Sequence, residues 1–172
     1  MKTLVVYFSA EKGRTKKKAE EIAAIAGADL YEIKPVEPYT KADVYWPNFK
    51  CRSVVEMHTK GFRPPIITDD LPDIAQYDVI FLGFPIWCAV CPQAVNTFLE
   101  ALDFSGKTIV PFATSGGSGW GPTDEALYPS CSPTTVWKPG KMVNRLAGAQ
   151  MEAWVKQYIG GRMPAARGYR KG

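Results

Sequence analysis

Residues 84–98 read FPIWCAVCPQAVNTF, and the WCAVC inside them sets two thiols, Cys88 and Cys91, between a strand-like run and a helix-like one. That spacing is found in redox-active dithiols, where a cysteine at a helix N-terminus becomes nucleophilic because the helix dipole lowers its pKa. Pro92 argues against this chemistry. Proline disfavours helical φ/ψ in the residue before it, so the helix should begin at Pro92 and leave Cys88 about a turn short of the terminus. The pair therefore reads first as loop residues at a strand end.

Two other stretches carry chemistry. SAEKGRT, residues 9–15, offers the hydroxyls of Ser9 and Thr15 with Lys12, Gly13 and Arg14, between an apolar run and a helix-like one. A helix start presents unpaired N–H groups and a positive dipole end, so an anion is stabilised there and each cation costs about 0.3–1 kcal/mol. Arg14, Lys16, Lys17 and Lys18 nevertheless crowd this turn, and a bound phosphate would resolve the conflict; a solvated lysine face is the plain alternative. The loop is neither a Walker loop nor GxGxxG. TSGGSGWG, residues 114–121, has four glycines in eight residues, which lets backbone amides approach a ligand closely or makes a flexible turn. Trp87, between Ile86 and Cys88, offers a ring for stacking a planar ligand, or for ordinary packing.

The remaining candidates are weaker. His58 is the one histidine and is expected at an exposed helix position. Cys51 and Cys131 read as isolated thiols, and Asp69 and Asp70 as loop or capping acids. No Cys/His spacing matches a zinc site. No metal is expected and no catalytic residue is assigned.

The elements around these stretches decide what they mean. TLVVYF is a continuous apolar, β-branched run, which predicts a central strand of a parallel sheet. TKKKAEEIAAIAG follows, with Ala19, Ile22, Ala23 and Ala26 at helical spacing and Gly27 as its stop. DLYEIKP predicts a second strand, residues 40–59 a partly helical stretch, YDVIFLGF a third strand, and PQAVNTFLEAL a helix with Pro92 in its first position. KTIVPFAT predicts a fourth strand. Pro111 cannot donate a ladder hydrogen bond, which argues for a position near the sheet edge or for a bulge. PTTVWKP predicts the last strand, and AGAQMEAWVKQYI a closing helix with Met151, Trp154, Val155 and Tyr158 on one face. Such β-α alternation predicts a doubly wound α/β three-layer sandwich: a five-stranded parallel sheet, helices on both faces, and a ligand site at the carboxyl ends of the strands. All three chemical stretches follow strands.

Composition agrees. The 172 residues are 46% hydrophobic and 22% charged, enough for one domain with a proper core, expected over residues 1–159. The net charge of +4 sits in the tail GGRMPAARGYRKG, residues 160–172, which holds Arg162, Arg167, Arg170 and Lys171 and no acid. The body is neutral, and the basic tail is expected to be disordered. Neither nucleic acid nor a membrane is an expected partner: no apolar run approaches the ~18 residues of a span, and no small-residue cleavage site follows the N-terminus. The expectation is a soluble, cytoplasmic protein with reduced thiols.

With these motifs in place, the chain resembles the flavodoxins, particularly bacterial flavodoxin-like proteins with a strand-end PIW and a PFATSGGSG loop. The likeness runs from LVVYFS through YDVIFLGFPIW, PQAVNTFLEAL and PFATSGGSGWG to the last helix. It implies FMN as cofactor, with the phosphate at Ser9, Lys12, Gly13, Arg14 and Thr15. The isoalloxazine is then implied between Pro85, Ile86, Trp87, Cys88 and Ala89 on one side and Thr114, Ser115, Gly116, Gly117 and Gly119 on the other. The implied function is electron transfer to a redox partner protein or a small-molecule acceptor, by a monomer or homodimer. An NAD(P)H-dependent quinone or flavin reductase on the same fold is the alternative, and a thiol–disulfide oxidoreductase using Cys88 and Cys91 a third reading. The chain departs from the family in two respects. Its first loop is one residue longer than S-x-T-G-x-T and inserts Glu11, and its body is neutral where shuttle flavodoxins are acidic.

Overall fold

A computed structural model describes residues 1–10 and 13–160. Lys12 and, beyond Gly160, the basic tail lie outside the described residues. The continuous apolar runs became β1 (Thr3–Tyr7), β3 (Val79–Pro85) and β4 (Thr108–Thr114), at the centre of the sheet. Only a strand covered on both faces can bury every side chain it carries. The parallel order is β2 (Asp29–Glu32), β1, β3, β4, β5 (Val136–Trp137), with β6 (Lys141–Met142) also pairing with β4. Flavodoxin is itself the standard example of this 2-1-3-4-5 doubly wound order.

Successive side chains of each strand enter opposite cores. Leu4, Val6, Ile80, Leu82 and Phe84 pack with Val95, Phe98 and Leu99 of α3 (Gln93–Ala101). Val5, Tyr7, Phe81, Val110 and Phe112 pack on the other face. There they meet Ala19 and Ile22 of α1 (Arg14–Ala26) and the expected face of α5 (Gly148–Ile159): Met151, Trp154, Val155 and Tyr158. Fully burying one such large side chain contributes about 1.5–3 kcal/mol. Gly83 is required by close approach, since a Cβ there would stand 2.2 Å from the ring of Phe112, its neighbour across β3 and β4.

The last strand differs from the single run expected over PTTVWKP. It comes as two dipeptides, β5 opposite Thr108 and Ile109 and β6 opposite Phe112 and Ala113. The cause lies in β4. On that side the carbonyls of Lys107, Ile109 and Ala113 accept hydrogen bonds of 2.8–2.9 Å from Val136, Lys138 and Val143, and the period of two turns residue 111 the same way. Pro111 has no N–H to give. The neighbouring strand is broken opposite it, and β4 lies one strand in from the sheet edge.

Residues 40–59 hold a 3-10 turn, Ala42–Val44, and the short α2 (Arg52–Met57). Pro92 flanks α3 rather than opening it (φ −61°, ψ 143°). Among the described residues, no helix is long and apolar enough to cross a membrane.

Candidate functional site

The loops that follow β1, β3 and β4 meet around one cleft of about 880 Å³ with mainly apolar walls. It lies at the carboxyl ends of the strands, beside the β1/β3 junction where the strand order reverses and open α/β sheets take their ligands. Ser9, Gly13, Arg14 and Thr15 line it from the first loop, Pro85 to Ala89 from the second, and Thr114 to Gly117 from the third.

The first loop enters α1 through Gly13, whose left-handed φ of 66° suits glycine and which brings no capping side chain. The first turn of α1 contains no acid, and the Ser9 hydroxyl accepts the Lys16 N–H there at 3.4 Å, so a positive helix end and Arg14 meet at the cleft. Of the crowded cations, Lys18 is engaged elsewhere. Its Nζ donates to the Leu146 carbonyl at 2.7 Å and so ties α1 to the start of α5.

The second loop is a tight turn. Trp87 and Val90 exchange backbone hydrogen bonds of 2.9 and 3.1 Å around Cys88 (φ 47°) and Ala89 (φ 72°), both left-handed. Two positive φ angles in a two-residue turn are the pattern that Asn-Gly usually supplies, so non-glycine residues hold it at a cost. Trp87 meets Phe8 edge-on at 5.3 Å and Tyr39 at 5.1 Å. Tyr39 in turn lies 3.9 Å below the Arg52 guanidinium and donates its hydroxyl to the Glu56 carboxylate. Burial, and then that bond, push the Tyr39 phenol well above its ordinary pKa. Arg52 completes the brace with Nε on Glu56 at 2.8 Å and Nη1 on the Glu37 carbonyl at 2.9 Å. The Trp87 wall is thus fixed through three aromatic rings and a charged clamp.

The third loop is held from outside its own sequence. Asn144 accepts from the Ser115 N–H at 2.8 Å and donates to the Ser115 carbonyl at 2.6 Å. The buried hydroxyls of Thr114 and Thr15 lie 2.8 Å apart, joining the third loop to the first turn of α1. Ser115 Oγ also accepts from Gly117 N–H and pairs with Ser118, each at 3.1 Å, curling the loop back on itself. Gly119 consequently falls beyond the cleft lining, on the way to Trp120, which packs against Phe84 at 5.8 Å.

The two thiols of WCAVC do not form a nucleophilic pair. Cys88 is exposed and Cys91 is buried, with its thiol on Asn96 Oδ1 at 3.6 Å. Burial pushes Cys91 up to about 12 and raises Cys88 as well. A dithiol nucleophile requires the opposite shift.

Sequence reasoning missed the fourth wall. Val44, Tyr45, Trp46, Phe49 and Val54 complete the cleft from residues 41–58. His58 also lines it, exposed as expected and placed just past the end of α2, with Nδ1 2.8 Å from the Val54 carbonyl. The available signal was the density of rings, Tyr39, Tyr45, Trp46 and Phe49, in an otherwise polar stretch. A helix start with an arginine at one end and aromatic, apolar walls elsewhere is a donor set suited to a phosphate attached to a planar ring.

Fold and cleft together define an open α/β protein with its ligand site at the switch point of a parallel sheet. The chain belongs to the flavodoxin family, whose sequence model matches residues 2–158. A protein assigned as a flavoprotein from Bacteroides eggerthii is 43% identical, with a TM-score of 0.82 over 94% of this chain and 99% of that one. One similarly assigned from Bacteroides uniformis is 40% identical, with a TM-score of 0.81 over 90% and 97%. A flavoprotein from Lactobacillus acidophilus, solved in complex with FMN, is 25% identical, with a TM-score of 0.67 over 82% and 92%. Among curated proteins, none matches.

Proposed function

We propose that this chain is an electron-transfer flavoprotein that holds FMN in the strand-end cleft. FMN is the cofactor of its family, and the similar Lactobacillus acidophilus flavoprotein was solved with it. The observation that carries the reading is the meeting of the positive start of α1, Arg14 and the Trp87 wall around one cleft at the β1/β3 switch point. Bound FMN supplies the chemistry, taking up and releasing electrons one or two at a time.

The chain's own residues bind, orient and exclude water. Ser9, Gly13, Arg14 and Thr15, with Lys12 from the same loop, neutralise and hydrogen-bond the phosphate. Trp87 and the turn peptides of Cys88 and Ala89, together with Pro85 and Ile86, would form one wall for the ring. Thr114, Ser115, Gly116 and Gly117 bring backbone groups to the other edge, held in place by Asn144. Neither thiol moves a proton or an electron.

A second reading, an NAD(P)H-dependent reductase, draws support from the aromatic mouth described below, which suits a small molecule better than a docked protein. Purification tests both. The protein is expected to be yellow and to release FMN identified by mass; an adenine-containing cofactor or a colourless protein that takes up no FMN would overturn the first reading. Rapid bleaching by NAD(P)H alone would favour the second.

A further inference from the structure

The outer wall of the cleft carries rings that fold stability does not explain. Tyr45, Trp46 and Phe49 are 61%, 72% and 78% exposed, yet all three line the cleft. Large aromatic side chains gain most of their free energy by burial, so three exposed together mark a binding surface. The segment that presents them is built rather than loose. Thr40 and Asp43 cap each other through bonds of 2.8 and 3.2 Å. Turn bonds then follow from Tyr45 to the Ala42 carbonyl, Asn48 to Tyr45 and Cys51 to Asn48, at 2.9–3.3 Å. At the far end the Arg52 brace ties the segment to Tyr39 and hence to Trp87.

We infer that Tyr45, Trp46 and Phe49 form a second subsite, at the mouth of the cofactor cleft, for a planar aromatic electron acceptor of the quinone class. This rests on the reading of the cleft as a flavin site. Three observations select a small flat molecule over a partner protein. The rings line a concave mouth continuous with the cleft rather than a flat outward patch. The mouth is aromatic and apolar, with Lys41 its one charged residue among the described residues of this wall, whereas protein docking to a flavoprotein is guided by charge on both sides. The body of the chain carries no net charge, so no long-range attraction of one sign steers a charged protein to it. These rings would position the acceptor, and fully reduced FMN bound in the cleft would supply both electrons and both protons, so that FMNH2 and quinone give FMN and hydroquinone.

The test uses the full chain and 2-methyl-1,4-naphthoquinone, with ferricyanide as an acceptor that has no ring to stack. In FMN-loaded, photoreduced protein, Trp46→Ala with Phe49→Ala should lower the second-order rate of reoxidation by naphthoquinone roughly tenfold, as expected for losing two aromatic contacts. With wild type and variant both fully loaded with FMN, the rate with ferricyanide should stay within about twofold. Equal losses with both acceptors, or none with naphthoquinone, would overturn the subsite. A separate readout needs no cofactor: naphthoquinone should quench tryptophan emission of the FMN-free chain saturably, and the double variant should lose that saturation. Saturable quenching in a chain that never binds FMN would sustain the ring subsite and remove the flavin reading. Linear, non-saturating quenching by wild type would remove the subsite alone.

Discussion

The hydroxyl oxygens of Thr15 and Thr114 lie 2.8 Å apart in the interior, so the first turn of α1 and the end of β4 share one buried hydrogen bond. Two of the three loops around the cleft are therefore one mechanical unit.

Replacing Thr114 by valine keeps the shape and strands the Thr15 hydroxyl. An unsatisfied buried hydroxyl costs about 1–3 kcal/mol, so urea denaturation should show a loss of that order, and FMN affinity should fall with it. Replacing both threonines by valine should cost less than twice the single change, because no orphaned partner is left.

The fold was legible where local sequence and global position agree. The apolar runs of β1, β3 and β4 could only be central strands, and the Met151, Trp154, Val155, Tyr158 stripe could only face a core. Pro111 pointed to a weakness in the sheet, but which side it faced depended on strand register, which no local pattern encodes. The wall at residues 41–58 was not legible because it has no helical or strand period and is tied to the Trp87 loop only through side-chain contacts, Arg52 to Tyr39 and Tyr39 to Trp87. Asn144 was invisible for the same reason: its partner, Ser115, lies on another loop, 29 residues earlier.

Cys88→Ser with Cys91→Ser should keep flavin colour and reduction rate, measured by stopped-flow absorbance. The thiols also make a pH prediction. Burial raises Cys91 to about 12 in the folded chain, while in the unfolded chain it titrates near the ordinary ~8.5. Between these values the folded state binds more protons than the unfolded one, so stability is whole below ~8.5 and declines as pH rises towards 12. Cys91→Ala should flatten that decline in denaturation midpoints taken from pH 8 to 11; an unchanged slope would show that other groups carry it.

With Trp87 as the proposed wall of the ring site, bound flavin should be weakly fluorescent, because stacking quenches emission. Trp87→Ala should raise that emission or release the flavin, with an aromatic contact worth about 0.5–1.5 kcal/mol. Arg52→Lys keeps the charge but loses the planar stack on Tyr39, and should raise emission part of the way while leaving the charge on the site intact.

The most direct measurement is a paired titration of FMN and phosphate-free riboflavin against wild type and against Lys12→Ala with Arg14→Ala. A charge-assisted hydrogen bond contributes about 1.5–3 kcal/mol, so the variant should bind FMN at least about tenfold more weakly while its riboflavin affinity stays near that of wild type. Equal losses for the two ligands would show that the phosphate does not lie at the start of α1, and that the strand-end cleft does not hold FMN in the way its residues indicate.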